Sequence, residues 1–133
     1  MLEMNKDALN QLSSSVINGA ICVHRELGPG LLESVYQSCL AYELKERGME
    51  VVTEVALPIF YRGNRIESGL RLDMIIENRL VIELKSVEKV LPVHVKQLLT
   101  YLRLADMPLG LLINFNESLL KDGITRLANN PYL

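Results

Sequence analysis

The segment from Leu72 to Lys85 limits what this chain can fold into more than any other stretch. It reads Leu72-Asp73-Met74-Ile75-Ile76-Glu77-Asn78-Arg79-Leu80-Val81-Ile82-Glu83-Leu84-Lys85, two apolar strands joined by a short polar turn. Asp73, Glu83 and Lys85 interrupt it where a core strand would carry Val or Leu. A buried charge is costly unless it is paired or bound to a metal. The hairpin therefore points to a divalent cation site.

The rest of the chain supplies the setting. Its 133 residues predict one domain, residues 1–133. A chain of that size buries roughly two thirds of its unfolded surface, enough for a real core. A formal net charge of −2 gives no global attraction to nucleic acid or acidic membranes, although a local basic face remains open. Cys22 and Cys39 lie in helical apolar patterns and read as small core residues in a reducing compartment. No basic leader with a long apolar run is visible, and nothing approaches the ~18 apolar residues of a membrane span. The expectation is a cytoplasmic protein with no membrane association.

Apolar residues at three- and four-residue steps (Leu9, Leu12, Val16, Ala20, Val23, Leu27) predict a helix from Lys6 to Leu27, stopped by Gly28-Pro29-Gly30. A second helix is expected over Leu31–Arg47, with Val35, Cys39 and Tyr42 on one face and Gly48 at its end. Three strands follow, at Val51–Tyr61, Ile66–Ile76 and Leu80–Ser86, with a turn at Arg62-Gly63-Asn64-Arg65. Pro58 suggests an edge position or a bulge in the first. Pro92 opens a helix to Ala105 with a stripe of Val95, Leu98, Leu99 and Leu102. Leu109–Phe115 reads as a continuous apolar, buried strand, and Gly123–Leu127 as a short edge strand. The order α-α-β-β-β-α-β describes an α/β (α+β) domain: a three-strand meander, a crossover helix and a returning strand, with helices flanking a mixed sheet.

Register decides whether the charges meet. If Glu77-Asn78-Arg79 is a three-residue loop, Ile76 pairs with Leu80 and Asp73 lies opposite Glu83, with Cβ atoms roughly 5 Å apart. Lys85 then shares their face. A two-residue loop would set Asp73 against Leu84, on the wrong side. Two acids and one ammonium could form a structural ion cluster, but Lys85 satisfies only one of them. A Mg²⁺ or Mn²⁺ site accounts for both, because hard cations take oxygen ligands and leave water positions open.

Other residues could join them. Gln97 and Tyr101 are i, i+4 neighbours on the third helix, and His94 lies on the same face. For His94 alone a solvated helix face is the better reading. Glu33 falls in the first turn of the second helix, where an acid also suits the helix dipole.

Asp73, Glu83-Leu84-Lys85 and Gln97-x-x-x-Tyr101, in that order, resemble the signature of the PD-(D/E)XK nuclease superfamily, the last pair being similar to the QxxxY motif of its RecB-type branch. Gly30-x-x-Glu33-x-x-Tyr36 resembles the GxxExxY family of small proteins within it. The resemblance covers about Ile17 to Leu127 and implies a restriction-endonuclease-like core. It implies Asp73 and Glu83 as metal ligands, the Leu84 carbonyl as a third, and Glu33 in the place of the helical acid that completes the shell. Lys85 would position the attacking water or stabilise charge on the phosphorane. Gln97 and Tyr101 would orient Lys85 or touch the substrate phosphate.

The chemistry implied is Mg²⁺- or Mn²⁺-dependent hydrolysis of phosphodiesters, of DNA ahead of RNA. Arg25, Arg62, Arg65, Arg71, Lys89, Lys96 and Arg103 are candidate phosphate contacts. Aromatic residues make up 5% of the chain, with no Trp, which argues against extensive base stacking. The competing reading is a nuclease-fold module with little or no turnover that binds nucleic acid or a protein partner. Homodimerisation is one route by which so small a chain could build a substrate groove.

Overall fold

A computed structural model describes residues 6–129. Helix α1 spans Lys6–Leu27 and α2 spans Glu33–Glu46. Strands β1 (Val51–Ala56), β2 (Ile59–Tyr61), β3 (Asn64–Ile66), β4 (Arg71–Ile76) and β5 (Leu80–Lys85) follow. Then come α3 (Pro92–Ala105), β6 (Leu109–Asn114), a 3-10 turn at Leu120–Gly123 and β7 (Ile124–Ala128). The main sheet has the order β1-β4-β5-β6-β7, and β2 pairs with β3 in a separate two-stranded sheet. All neighbours in the main sheet are antiparallel except β5 and β6, which α3 joins by a crossover. This is an α+β fold consistent with a restriction-endonuclease-like core, as expected.

The meander is longer than the sequence suggests. Each of its first two expected strands divides in two, because Leu57-Pro58 and Glu67–Leu70 leave the main sheet. The chain between them folds back as the β2–β3 hairpin. Pro58 lacks a backbone donor and sits at the first break. The base stays closed because Leu57 N donates to Leu70 O at 2.9 Å.

Two apolar layers sandwich the sheet. Leu9, Val16 and Ala20 of α1 and Leu40 and Leu44 of α2 pack with Met74, Ile76, Leu80, Ile82 and Leu84 on one face. Leu98, Tyr101 and Leu102 of α3 pack with Ile75, Val81 and Leu112 on the other. Strands covered on both sides read as near-continuous hydrophobic runs, which accounts for β4 and β5.

The exposed face of α2 differs from expectation. Val35 is 39% and Tyr42 68% exposed, whereas Tyr36, Leu40, Ala41 and Leu44 are buried. The apolar residues of α2 are spread around the helix, so periodicity singles out no face and contact with α1 and the sheet chooses one. The cysteines divide: Cys39 is half-buried and packs against the α1–α2 core, as expected, whereas Cys22 is exposed and its sulfur accepts from Arg47 at 3.1 Å. Leu27, at the end of the α1 stripe, is 36% exposed. No helix among the described residues is long and apolar enough to cross a membrane.

Candidate active site

The Glu77-Asn78-Arg79 loop has three residues, and Ile76 pairs with Leu80. Glu77 and Asn78 both take positive φ, 53° and 52°, and Arg79 N donates to Ile76 O at 3.0 Å. The register that brings Asp73 level with Glu83 is therefore formed.

The β4–β5 ladder runs from Ile76↔Leu80 to Met74↔Ile82 and stops there. Beyond it, carboxylates replace the backbone rungs. Asp73 N donates to Glu83 Oε2 at 3.3 Å, and Leu84 N donates to Asp73 Oδ2 at 2.8 Å. On its other side Asp73 also lacks a rung, because the β1–β4 pairing skips Glu54 and Asp73. Glu54 is left-handed there, with φ 53°. The strands turn over at this point. Val51, Met74 and Ile76 pack on the α1–α2 side, whereas Val55 and Leu72 pack on the α3 side. Asp73 thus occupies an irregularity in β4, a common device for re-aiming a side chain.

Glu83 is only 9% exposed. Burial pushes its carboxyl up to about 9, with the neighbouring Asp73 adding to the shift through a shared hydrogen bond and its charge. The Asp73 amide and the Lys85 charge work in the opposite direction but do not cancel it. Among the described residues Lys85 forms no ion pair with either carboxylate. The structural-cluster reading requires such pairing, and the geometry does not supply it.

Tyr101 reaches the site from α3. It is 8% exposed, and its hydroxyl titrates high, first through burial and then through the Glu83 charge. Gln97 Nε2 donates to Tyr101 Oη at 2.8 Å, leaving the tyrosine proton free for another acceptor. The two side chains bond each other and not Lys85. His94 stays apart: its Nδ1 accepts from Leu91 N at 3.0 Å and caps α3.

Glu33 approaches the strand end without joining the acid pair. Its Oε2 accepts from Ser86 N at 3.3 Å, one residue past Lys85. Ser86 Oγ in turn donates to Leu31 O at 2.6 Å. Tyr36 holds this α1–α2 loop in place. Its hydroxyl donates to Gly28 O at 2.5 Å and accepts from Leu31 N at 3.1 Å, and its ring stacks on Phe115 at 4.4 Å. Gly30, with φ 96°, supplies the left-handed residue the turn needs. Gly30, Glu33 and Tyr36 therefore act together to dock this loop against the end of β5.

Asn114 is a residue that sequence reasoning misses. It is fully buried at the end of β6, where it pairs with Lys85 across the ladder. Its side chain accepts from Val87 N at 3.1 Å and Asn116 N at 3.2 Å and donates to Val87 O at 2.9 Å. It fastens the chain just beyond Lys85. A signal for it exists, being a polar residue inside an otherwise apolar run.

The donor set fits a hard divalent ion at Asp73 and Glu83: two adjacent carboxylates, one of them buried, with no ion-paired cation among the described residues. Glu33 does not complete a cluster. Among the described residues no three His, Cys, Asp or Glu side chains are grouped to hold a metal.

The fold and this acid-acid-lysine arrangement define a nuclease-like protein. The PD-(D/E)XK nuclease superfamily model matches residues 10–127, and the chain belongs to that superfamily. No curated protein and no solved structure matches significantly.

Proposed function

We propose that this chain is a metal-dependent nuclease of the GxxExxY type, acting as one domain and cleaving DNA in preference to RNA. The observation that carries this reading is the Asp73–Glu83 pair, two carboxyl groups side by side with Lys85 close enough to influence Glu83 but not to neutralise the pair. The GxxExxY assignment is supported by the joint role of Gly30, Glu33 and Tyr36 at the α1–α2 loop.

Asp73, Glu83 and the Leu84 carbonyl would hold Mg²⁺ or Mn²⁺, with Glu33 the further donor if its side chain turns from Ser86. A bound divalent ion supplies Lewis acidity toward the phosphate and acidifies a ligated water. Lys85 places a positive charge beside the phosphoryl oxygens and orients the attacking water. Tyr101, with its hydroxyl proton free, donates to a phosphate oxygen, and Gln97 fixes that hydroxyl. Water oxygen bonds to phosphorus as the phosphorus–ester oxygen bond breaks, and the departing oxygen takes up a proton.

The test is a cleavage panel with the purified chain on duplex DNA, single-stranded DNA and RNA in Mg²⁺, Mn²⁺ or EDTA. Cleavage that needs the metal and disappears in Asp73→Asn and Lys85→Ala supports the reading. Tight binding without turnover in any metal would instead favour a non-catalytic nucleic-acid-binding module. Sedimentation of the same sample tests the homodimer.

A further inference from the structure

The β2–β3 hairpin contributes nothing to either core cluster. Phe60 is 64% and Tyr61 62% exposed, although two-stranded hairpins are marginal by themselves and apolar side chains on them favour aggregation. Each aromatic has an arginine beside it. Phe60 pairs with Arg65 across the ladder, and the Arg62 guanidinium lies 5.5 Å from the centre of the Tyr61 ring. Because side chains alternate along a strand, Phe60 and Tyr61 point to opposite faces. The hairpin thus carries an aromatic–arginine pair on each side.

The turn reinforces this. Arg62 and Gly63 take φ 51° and 81°, as a two-residue hairpin turn requires. Gly, Asn or Asp is usual at the first of these positions, and Arg is held there against its backbone preference. That conformation brings its guanidinium to Tyr61.

The base of the hairpin closes at Leu57 and Leu70, the latter three residues before Asp73 along the chain. Ser68 Oγ donates to Leu57 O at 2.5 Å and accepts from Leu70 N at 3.1 Å, fastening the base. Strand β4 begins at Arg71, two residues before Asp73. Residues 59–66 carry two arginines and no acid, in a chain whose net charge is −2.

Resting on the nuclease reading, we propose that this hairpin takes unpaired nucleotides, with Phe60 and Tyr61 stacking on bases and Arg62 and Arg65 holding backbone phosphates. Base faces are open to such stacking only where strands are unpaired or splayed. Guanidinium groups match phosphate geometry and also stack on flat rings. Glu67 holds Arg65 at 2.7 Å, but both side chains are exposed and a phosphate can displace it. The low aromatic content argues against stacking only as an average; the structure gathers two exposed rings on one projection.

Anisotropy of a labelled thymidine oligomer and of a blunt duplex of equal length, in EDTA to suspend hydrolysis, tests this on the full chain. Tighter binding to the oligomer is expected. Phe60→Ala with Tyr61→Ala should weaken oligomer binding by at least ~5-fold and duplex binding far less. Arg62→Gln with Arg65→Gln should weaken both and reduce the salt slope by roughly one to one and a half. Glu67→Gln should tighten binding. Circular dichroism confirms that each variant folds. No binding by the wild type, unchanged affinity in the variants, equal losses on both ligands in the aromatic double variant, or a hairpin that only mediates self-association overturns the proposal. Cleavage by the wild type and by the hairpin variants in Mg²⁺, measured beside the binding, separates the two readings. Hairpin-dependent binding without cleavage keeps the hairpin and removes the nuclease; metal-dependent cleavage indifferent to the hairpin does the reverse.

Discussion

The amide of Asp73 donates to the carboxylate of Glu83 at 3.3 Å, in the place where the β4–β5 ladder would have its next backbone rung. The two strands part just where the two acids meet. Carboxylates holding backbone amides are oriented by the sheet itself, which is how groups that contact a ligand directly are best preorganised. The cost is a Glu83 that resists ionisation.

That cost leads to the first prediction. Asp73→Asn should abolish metal-dependent hydrolysis, by at least ~100-fold. It should also raise the thermal stability of the metal-free protein by ~1 kcal/mol, the usual trade of function against stability. Parallel activity and melting measurements check both effects, and a destabilised, fully active variant would contradict them.

Stability should depend on pH with a defined sign. Glu83 holds its proton more tightly folded than unfolded, so between the ordinary glutamate range and about 9 the folded state binds more protons. Metal-free stability contributed by this group therefore falls as pH rises through that window. Glu83→Gln should flatten the decline, and Mg²⁺ should reduce it by stabilising the ionised pair. Melting curves from about pH 5 to about pH 9, with and without Mg²⁺, measure the difference.

Tyr36→Phe keeps the ring on Phe115 but removes the hydroxyl shared by Gly28 O and Leu31 N. The partners lose their hydrogen bonds, so a loss of about 1–3 kcal/mol is expected. Cleavage should fall as well, because the same loop carries Glu33 to the end of β5. Denaturant melts and kinetics on one preparation separate the two effects.

Asn114→Ala should cost about 2–3 kcal/mol, since it leaves Val87 and Asn116 backbone groups without partners and opens a small cavity. Hydrogen exchange should show faster opening at Ser86 and Val87 than within β5. Uniform loss of protection would instead mean that Asn114 supports the whole sheet and not this segment.

Several features are legible in the amino-acid order itself. The apolar runs of β4 and β5 and the polar residues between them specify the hairpin, whereas its register, open between a two- and a three-residue loop, is decided by the pairing of Ile76 with Leu80. Helix α3 runs from Pro92 to Ala105 as expected, because its stripe and its proline act over only a few residues. The buried face of α2 is not legible, since its apolar residues do not share one side. The β2–β3 hairpin is hidden inside what reads as two long strands, because β-propensity does not reveal where a strand leaves its sheet.

Local pattern, then, is enough to mark Asp73 and Glu83 as charges in a core and, once the turn has three residues, to set them opposite each other. Tertiary structure alone decides what surrounds them: Glu33 meeting Ser86 from 53 residues away, Tyr101 arriving from α3, and Asn114 anchoring the chain beyond Lys85. The physical reason is range. Periodicity and turn chemistry act over a few residues, whereas these contacts exist only once the helices have packed on both faces of the sheet.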